Sequence, residues 1–282
     1  MSVPSPVTRQ PVYKRTIAYV VSIVFAVFVL LPLVWALITS FKTNGEIQSS
    51  PPVWIPTKWI LDNYATVLTN SPLPLYLWNT LIISVIGTVL TLLISVHAAY
   101  AITRFRFRGR DAGSFLLLLS IMVPTVSIIL PQFIIASRLS LVDTHLVLII
   151  IDSAWQIPLA VWILRAYFYR VSAELDEAAM LDGCSRLTAF YRVVVPISWP
   201  GIAAAGVVVF IWIWNEFLIG VTLATSVRAQ PVASGLYSYV TESGIDWGTL
   251  TAAAMIAMIP VVVIFIVLQR QFVEGLTSGT GK

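Results

Sequence analysis

Charge is what this sequence has least of. Only 11% of its 282 residues are Asp, Glu, Lys or Arg, while 58% are hydrophobic. A soluble domain is about a quarter charged. So little charge cannot cover a globule of this size in water. Soluble enzyme, nucleic-acid binder and disordered chain are therefore poor readings, even at a pI near 9.3. Cysteine is also nearly missing. The single Cys184 excludes a disulfide framework and a cysteine metal cluster. Two histidines, His97 and His145, leave no histidine-rich metal site. No Gly-x-x-x-x-Gly-Lys-Ser/Thr phosphate loop and no nucleophile elbow occur. The chain is not expected to hydrolyse ATP by itself.

What the sequence has is long apolar runs. A helix that crosses a bilayer needs about 20 mostly apolar residues. Six stretches qualify: Ile17–Ser40, Leu77–Ile102, Ser114–Ala136, His145–Tyr167, Ile202–Ala224 and Leu250–Leu268. The runs are continuous and do not alternate, so membrane strands are a poor reading. The first run is too long for a signal-peptide core and is read as an uncleaved span. The expectation is an all-α integral membrane protein with six spans. Residues 1–16 form an N-terminal segment, 17–268 the span domain and 269–282 a tail. Pro124, Pro131 and Pro260 fall inside spans three and six, where proline permits kinks.

The few charges set an orientation, because Lys and Arg stay on the cytoplasmic side. With the N-terminus inside, all but Lys42, Lys58, Arg138 and Arg228 of the 17 basic residues are cytoplasmic. Both termini are then inside. The cluster Arg104–Arg110 reads as a topology anchor at the end of span two rather than a nucleic-acid site. Trp54, Trp59 and Tyr64 in the long outer loop suit an interfacial segment.

One cytoplasmic segment, about 168–200, is far more polar than the spans. Ser172 is a good N-cap, and Glu174, Asp176 and Glu177 complement a helix N-terminus. Leu175, Ala178 and Ala179 share a small flat face at helical spacing. Gly183 breaks this helix. A second short helix, about Ser185–Val194, is expected to end at Pro196. The product is a helix-turn-helix lying under the membrane.

These residues resemble the permease subunits of bacterial ATP-binding-cassette importers. The signature of that family is Glu-Ala-Ala, three residues, Gly, nine residues, an aliphatic, one residue, an aliphatic and Pro. Here it reads Glu177-Ala178-Ala179, Gly183, Val193, Val195 and Pro196. Its five fixed residues match by chance about once per million start positions. The aliphatics are Val where the family often has Ile and Leu, and Ser172 stands where it often has Pro. The likeness covers nearly the whole chain and is nearest to the smaller permease of maltose-type carbohydrate importers. It is carried by Asn79-Thr80, Ala98-Ala99-Tyr100-Ala101, Arg104–Gly109, Asp143-Thr144, Trp214-Asn215-Glu216-Phe217 and the tail Gln269–Gly279.

The resemblance implies a machine. The loop between spans four and five would be a coupling helix docked on an ATPase, through Glu177, Ala178, Ala179, Gly183 and Pro196. The tail residues Gly275, Thr277 and Gly279 would reach toward the ATPase pair. The chain would work with a second permease, two ATPase subunits holding ATP and Mg, and an extracytoplasmic binding protein, in the cytoplasmic membrane. No cofactor, metal or nucleic acid is expected on this chain.

Ionisable groups inside a span are costly and usually functional. Asp152 shares a helical face with Trp155 and Gln156, and Glu216 lies beside Trp212 and Asn215. A ring beside hydrogen-bonding groups is how proteins hold sugars. The bland alternative is that the two carboxyls only brace contacts between spans. The sequence thus predicts a sugar-import permease. Its rivals are the same machine for another polar solute, such as a glycerol phosphate, and an ion-coupled secondary transporter.

Overall fold

The computed structural model describes residues 12–241 and 244–277. Among them helices dominate. In chain order they are α1 (Val12–Thr39), α2 (Asn44–Ile47), α3 (Asp62–Thr69), α4 (Leu73–Arg104), α5 (Arg110–Ile121), α6 (Thr125–Arg138), α7 (His145–Phe168), α8 (Ala173–Leu181) and α9 (Arg186–Ala189). A π-helical turn, Phe190–Val194, follows. Then come α10 (Val195–Ile197), α11 (Trp199–Trp214), α12 (Leu218–Leu223), α13 (Val232–Gly235) and α14 (Trp247–Thr277). Val240–Thr241 and Gly244–Ile245 pair as a minimal antiparallel hairpin, β1 and β2.

Four helices, α1, α4, α7 and α14, are long and apolar enough to cross a bilayer. Counting each of two bent pairs as one span gives up to six. Helices α5 and α6 meet at 97°, and the stretch from α9 to α10 meets α11 at 75°. Span three is thus two short helices rather than one rod from Ser114 to Ala136. Pro124 is the reason. It has no N–H to donate and drives its neighbour out of the helical region, so α5 stops at Ile121 and Pro124 sits extended as the N-cap of α6.

Span five is also discontinuous. Helix α11 ends at Trp214 and α12 starts at Leu218. The first long loop is held by charge. Lys42 is buried, donates to the Val53 carbonyl (2.6 Å) and lies 4.2 Å from the centre of the Trp35 ring. Glu46 closes a capping box with Thr43, and hydrogen bonds from Thr57 hold its carboxyl below the usual range.

Helix α4 is the centre of the bundle. It packs along α7 and α11, and α14 covers α11. Small polar side chains stitch α4 to α7: Ser153 donates to the Gly87 carbonyl (3.1 Å) and Ser95 to that of Ile157 (3.3 Å). Small residues and such bonds are how helices associate in lipid, where hydrophobic burial gives no net drive.

Gly201, in the first turn of α11, marks a very tight approach. A Cβ there would stand 2.3 Å from the Tyr167 ring. Overpacking of this kind costs about 1–3 kcal/mol. Gly201→Ala is therefore expected to lower the melting temperature in detergent. Gly113→Ala, where a Cβ meets nothing within 4 Å, is the control. Equal melting temperatures would contradict this packing.

Candidate functional site

Two sites emerge, a cavity among the spans and a loop beyond the Arg104 end of α4. The cavity measures about 530 Å³ and is walled by α6, α7, α11, α12 and the end of α5. All six polar candidates from the sequence, Asp152, Trp155, Gln156, Trp212, Asn215 and Glu216, line it. Their spacing on α7 accounts for three of them. The break in span five accounts for the other three.

That break is built by Asn215 and Glu216. The Asn215 amide donates to the Ile211 carbonyl (2.8 Å) and closes α11. The Glu216 carboxylate opens α12. It accepts from the backbone N–H of Ile219 (3.0 and 2.9 Å) and of Gly220 (3.0 Å). A carboxylate there satisfies orphan donors and favours the helix dipole. The sequence stacked Trp212 and Glu216 on one continuous helix; the structure instead puts Glu216 beyond the helix end. Among the described residues its hydrogen bonds stay within its own span.

Asp152 differs. It is 5% exposed, and among the described residues no hydrogen bond or ion pair reaches its carboxyl. The Trp155 indole Nε1 is also buried without a hydrogen-bond partner. Buried polar groups are normally satisfied, and each exception needs an explanation. The cavity therefore offers Asp152 as an open acceptor beside indole rings, while the Trp155 Nε1 is unpaired but sealed in the wall. Sequence reading missed Thr125 and Phe217 in the wall, because the Pro124 bend and the α12 break bring them there. Among the described residues no cluster of three His, Cys, Asp or Glu is placed to hold a metal ion.

The far end of the bundle is tied by Asp143. This residue sits at φ 63°, a conformation Asp tolerates better than most. Its carboxylate accepts from Ser226 N–H (2.8 Å) and the Ser226 hydroxyl (2.6 Å). Partial burial pushes this carboxyl up, but the Ser226 bonds outweigh it and hold it below the usual Asp range. A lowered folded-state pKa gives stability that is present above the unfolded value, about 3.9, and is lost as pH falls through the folded one. The segment after α12 is expected to gain amide exchange below about pH 3.9. Asp143→Asn should flatten that dependence; an unchanged profile would refute the tie.

The loop after α7 is a capped helix-turn-helix, as expected. Ser172 accepts from Glu174 N–H (3.2 Å) and Ser185 from Thr188 N–H (3.2 Å). Gly183 has φ 87°. Cys184 N–H donates to the Ala179 carbonyl (3.0 Å) and Gly183 N–H to that of Met180 (3.1 Å). That is a complete Schellman closure, which needs a left-handed residue.

Two expectations fail here. Ala179 does not share an outer face with Leu175 and Ala178. It turns inward at 9% exposure, together with Asp176 at 6%. Residues 176, 179 and 180 fall on one side of α8, and 177, 178 and 181 on the other. The outer face is therefore Glu177, Ala178 and Leu181, with Leu175 at its edge. Leu181 is 89% exposed. Nor does Pro196 end the second helix. The π turn resets the hydrogen-bond register, so Pro196 falls in the first turn of α10, where its missing N–H costs nothing. The chain bends two residues later, at Ser198. Gly275 and Thr277 lie on the last turns of α14; Gly279 lies outside the described residues.

Broken apolar helices around a mostly apolar cavity, with a rigid polar loop at one end, fit an integral membrane transport protein. Residues 91–278 match the family described as binding-protein-dependent transport system inner membrane component. The chain belongs to that family and is a transport permease subunit. It is 35% identical over 277 residues to a trehalose/maltose transport system permease protein of Thermococcus litoralis, covering 97% of this chain and 99% of that one. It is 31% identical over 265 residues to a sulfoquinovosyl glycerol transport system permease protein of Agrobacterium fabrum, covering 94% and 93%. In structure it resembles a chain of a bacterial ABC transporter involved in import of the acidic polysaccharide alginate. The TM-score is 0.78 at 22% identity, covering 96% of this chain and 100% of that one.

Proposed function

We propose that this chain is the permease subunit of an ATP-driven carbohydrate importer with both termini cytoplasmic. It pairs with a second permease; two ATPase subunits dock on its coupling loop and a binding protein delivers solute to the opposite face. The observation that carries the docking role is the outer face of α8. Leu181 and Leu175 stand exposed beside Glu177 on a polar loop that both N-caps and Gly183 hold rigid. Exposed apolar side chains on a rigid element mark a protein contact. Glu177 adds an acceptor for a basic partner group. Ala179 contributes by being small on the inner side, which lets α8 sit close to the turn beneath it.

The cavity supports the choice of solute. Asp152 and Gln156 suit hydroxyls, and Trp155 and Trp212 suit the apolar face of a sugar ring. No Lys or Arg lines it, which disfavours a phosphate ester. The relatives named for trehalose or maltose and for sulfoquinovosyl glycerol transport carry solutes built on a sugar ring. Alternating access would follow from ATPase closure, as a two-state shift biased by ligand contacts. The test is purification in mild detergent followed by reconstitution. ATPase subunits and a second permease should co-purify, and uptake should require ATP and the binding protein. Uptake driven by an ion gradient with no ATPase present would sink the reading.

A further inference from the structure

Arg104 and Asp176 form a buried ion pair. The Arg104 Nε lies 2.6 Å from Asp176 Oδ2, with side-chain exposures of 11% and 9%. Only one other ion pair occurs among the described residues, Arg110 with its chain neighbour Asp111, and that one is exposed. Arg104 is the last residue of α4, the central helix. Asp176 is on the inner face of α8. The same guanidinium donates through Nη2 to the Val171 carbonyl (2.7 Å), just ahead of the α8 N-cap. One side chain thus grips α8 just ahead of its N-cap and in its first turn. The pair is not aligned for a hydrogen bond, and Asp176 also faces the Tyr100 hydroxyl of α4. The attraction is charge on charge, which tolerates rotation of α8 while resisting its withdrawal.

The surroundings make this contact distinctive. Helix α8 packs mainly on α9 and the π turn, which belong to its own loop. That turn rests on α4 through rings, with Tyr100 and Phe190 centred 4.4 Å apart and His97 bonded to the Tyr191 hydroxyl (2.6 Å). Rings can slide. The ion pair fixes α8 to α4 at a point.

We propose that Arg104 and Asp176 are a positioning pair that passes displacement of α8 to α4, so that ATPase movement and opening of the spans stay coupled. This rests on the docking role proposed for α8. Breaking the pair should leave the ATPase bound and turning over, while transport falls behind it.

The experiment uses the reconstituted complex and reads ATP hydrolysed per solute imported. Asp176→Asn keeps shape, Arg104→Gln keeps a shorter polar side chain, and each removes one charge. Each should raise the ATP cost per solute about tenfold. The double exchange, Arg104→Asp with Asp176→Arg, should bring the ratio back toward native. A purely local structural role would alter yield or melting temperature and leave the ratio alone. Native ratios in both single variants overturn the proposal. So does a double exchange that fails to recover, whatever the single variants do. If native protein holds no ATPase, the docking reading fails and the coupling role falls with it. If native protein holds one and the ratio never moves, only the coupling role is lost.

Discussion

Gly183→Pro is expected to cut ATP-driven uptake about a hundredfold, the equivalent of roughly 3 kcal/mol, and to strip the ATPase from the purified complex. The reason is backbone geometry. Gly183 sits at φ 87° and donates to the Met180 carbonyl. Proline fixes φ near −65° and has no N–H. Both the direction of the chain and one bond of the Schellman closure are lost. Helix α9 then leaves α8 on a different heading, and Leu181 and Leu187 no longer belong to one rigid surface. Gly183→Ala separates strain from space. A Cβ there meets nothing within 4 Å, so the only cost is the left-handed conformation, about 1–2 kcal/mol. Alanine should therefore weaken docking and leave measurable uptake. Co-purification of the ATPase with each variant, followed by uptake in vesicles, checks both. Native uptake in the proline variant would remove the docking surface from α8.

The loop was legible in the sequence because its determinants are local. Ser172, Gly183 and Ser185 act on backbone groups within a few residues, and their spacing gives both short helices. The facing of α8 was not legible. Helical spacing groups Leu175, Ala178 and Ala179 about equally well with either side, and the inner side is the one packed on α9, the π turn and Arg104, far earlier in the chain. Arg104 itself reads as one more basic residue at a span end, and nothing nearby in sequence tells it from Arg106 or Arg108. The break in span five was hidden for another reason, and in span three the prolines marked a permitted kink without saying that Pro124 would split the helix. Apolar content averaged over a span passes smoothly over Asn215-Glu216 and over Pro124, because one or two residues barely change the mean. What breaks the helix is a hydrogen bond taken or withheld, and apolar content does not record that. The six polar candidates from the sequence line one cavity, and the reason they converge is the pair of breaks.

Asp152 and Glu216 divide what the sequence treated as one pair, and their substitutions should move stability in opposite directions. Glu216 answers for the N–H groups of Ile219 and Gly220. Glu216→Ala leaves those donors unsatisfied inside the spans, at about 1–3 kcal/mol each. It should lower the melting temperature and loosen α12, with loss of uptake following from loss of fold. Asp152 answers for nothing in the described protein. A buried polar group without a partner is itself destabilising. Asp152→Leu should therefore hold or raise the melting temperature while uptake falls about tenfold or more, the effect of removing one acceptor from a hydroxyl-binding site. Asp152→Asn keeps an acceptor and should retain more uptake than leucine. Thermal unfolding and uptake measured on the same preparations decide it. If Asp152→Leu melts early, the carboxyl has a structural partner and the cavity loses its acceptor. If it melts late and transports normally, solute passes without touching Asp152. A stable protein that no longer transports is the outcome the geometry favours, because such a cost to stability persists where solute, rather than the fold, supplies the missing bond.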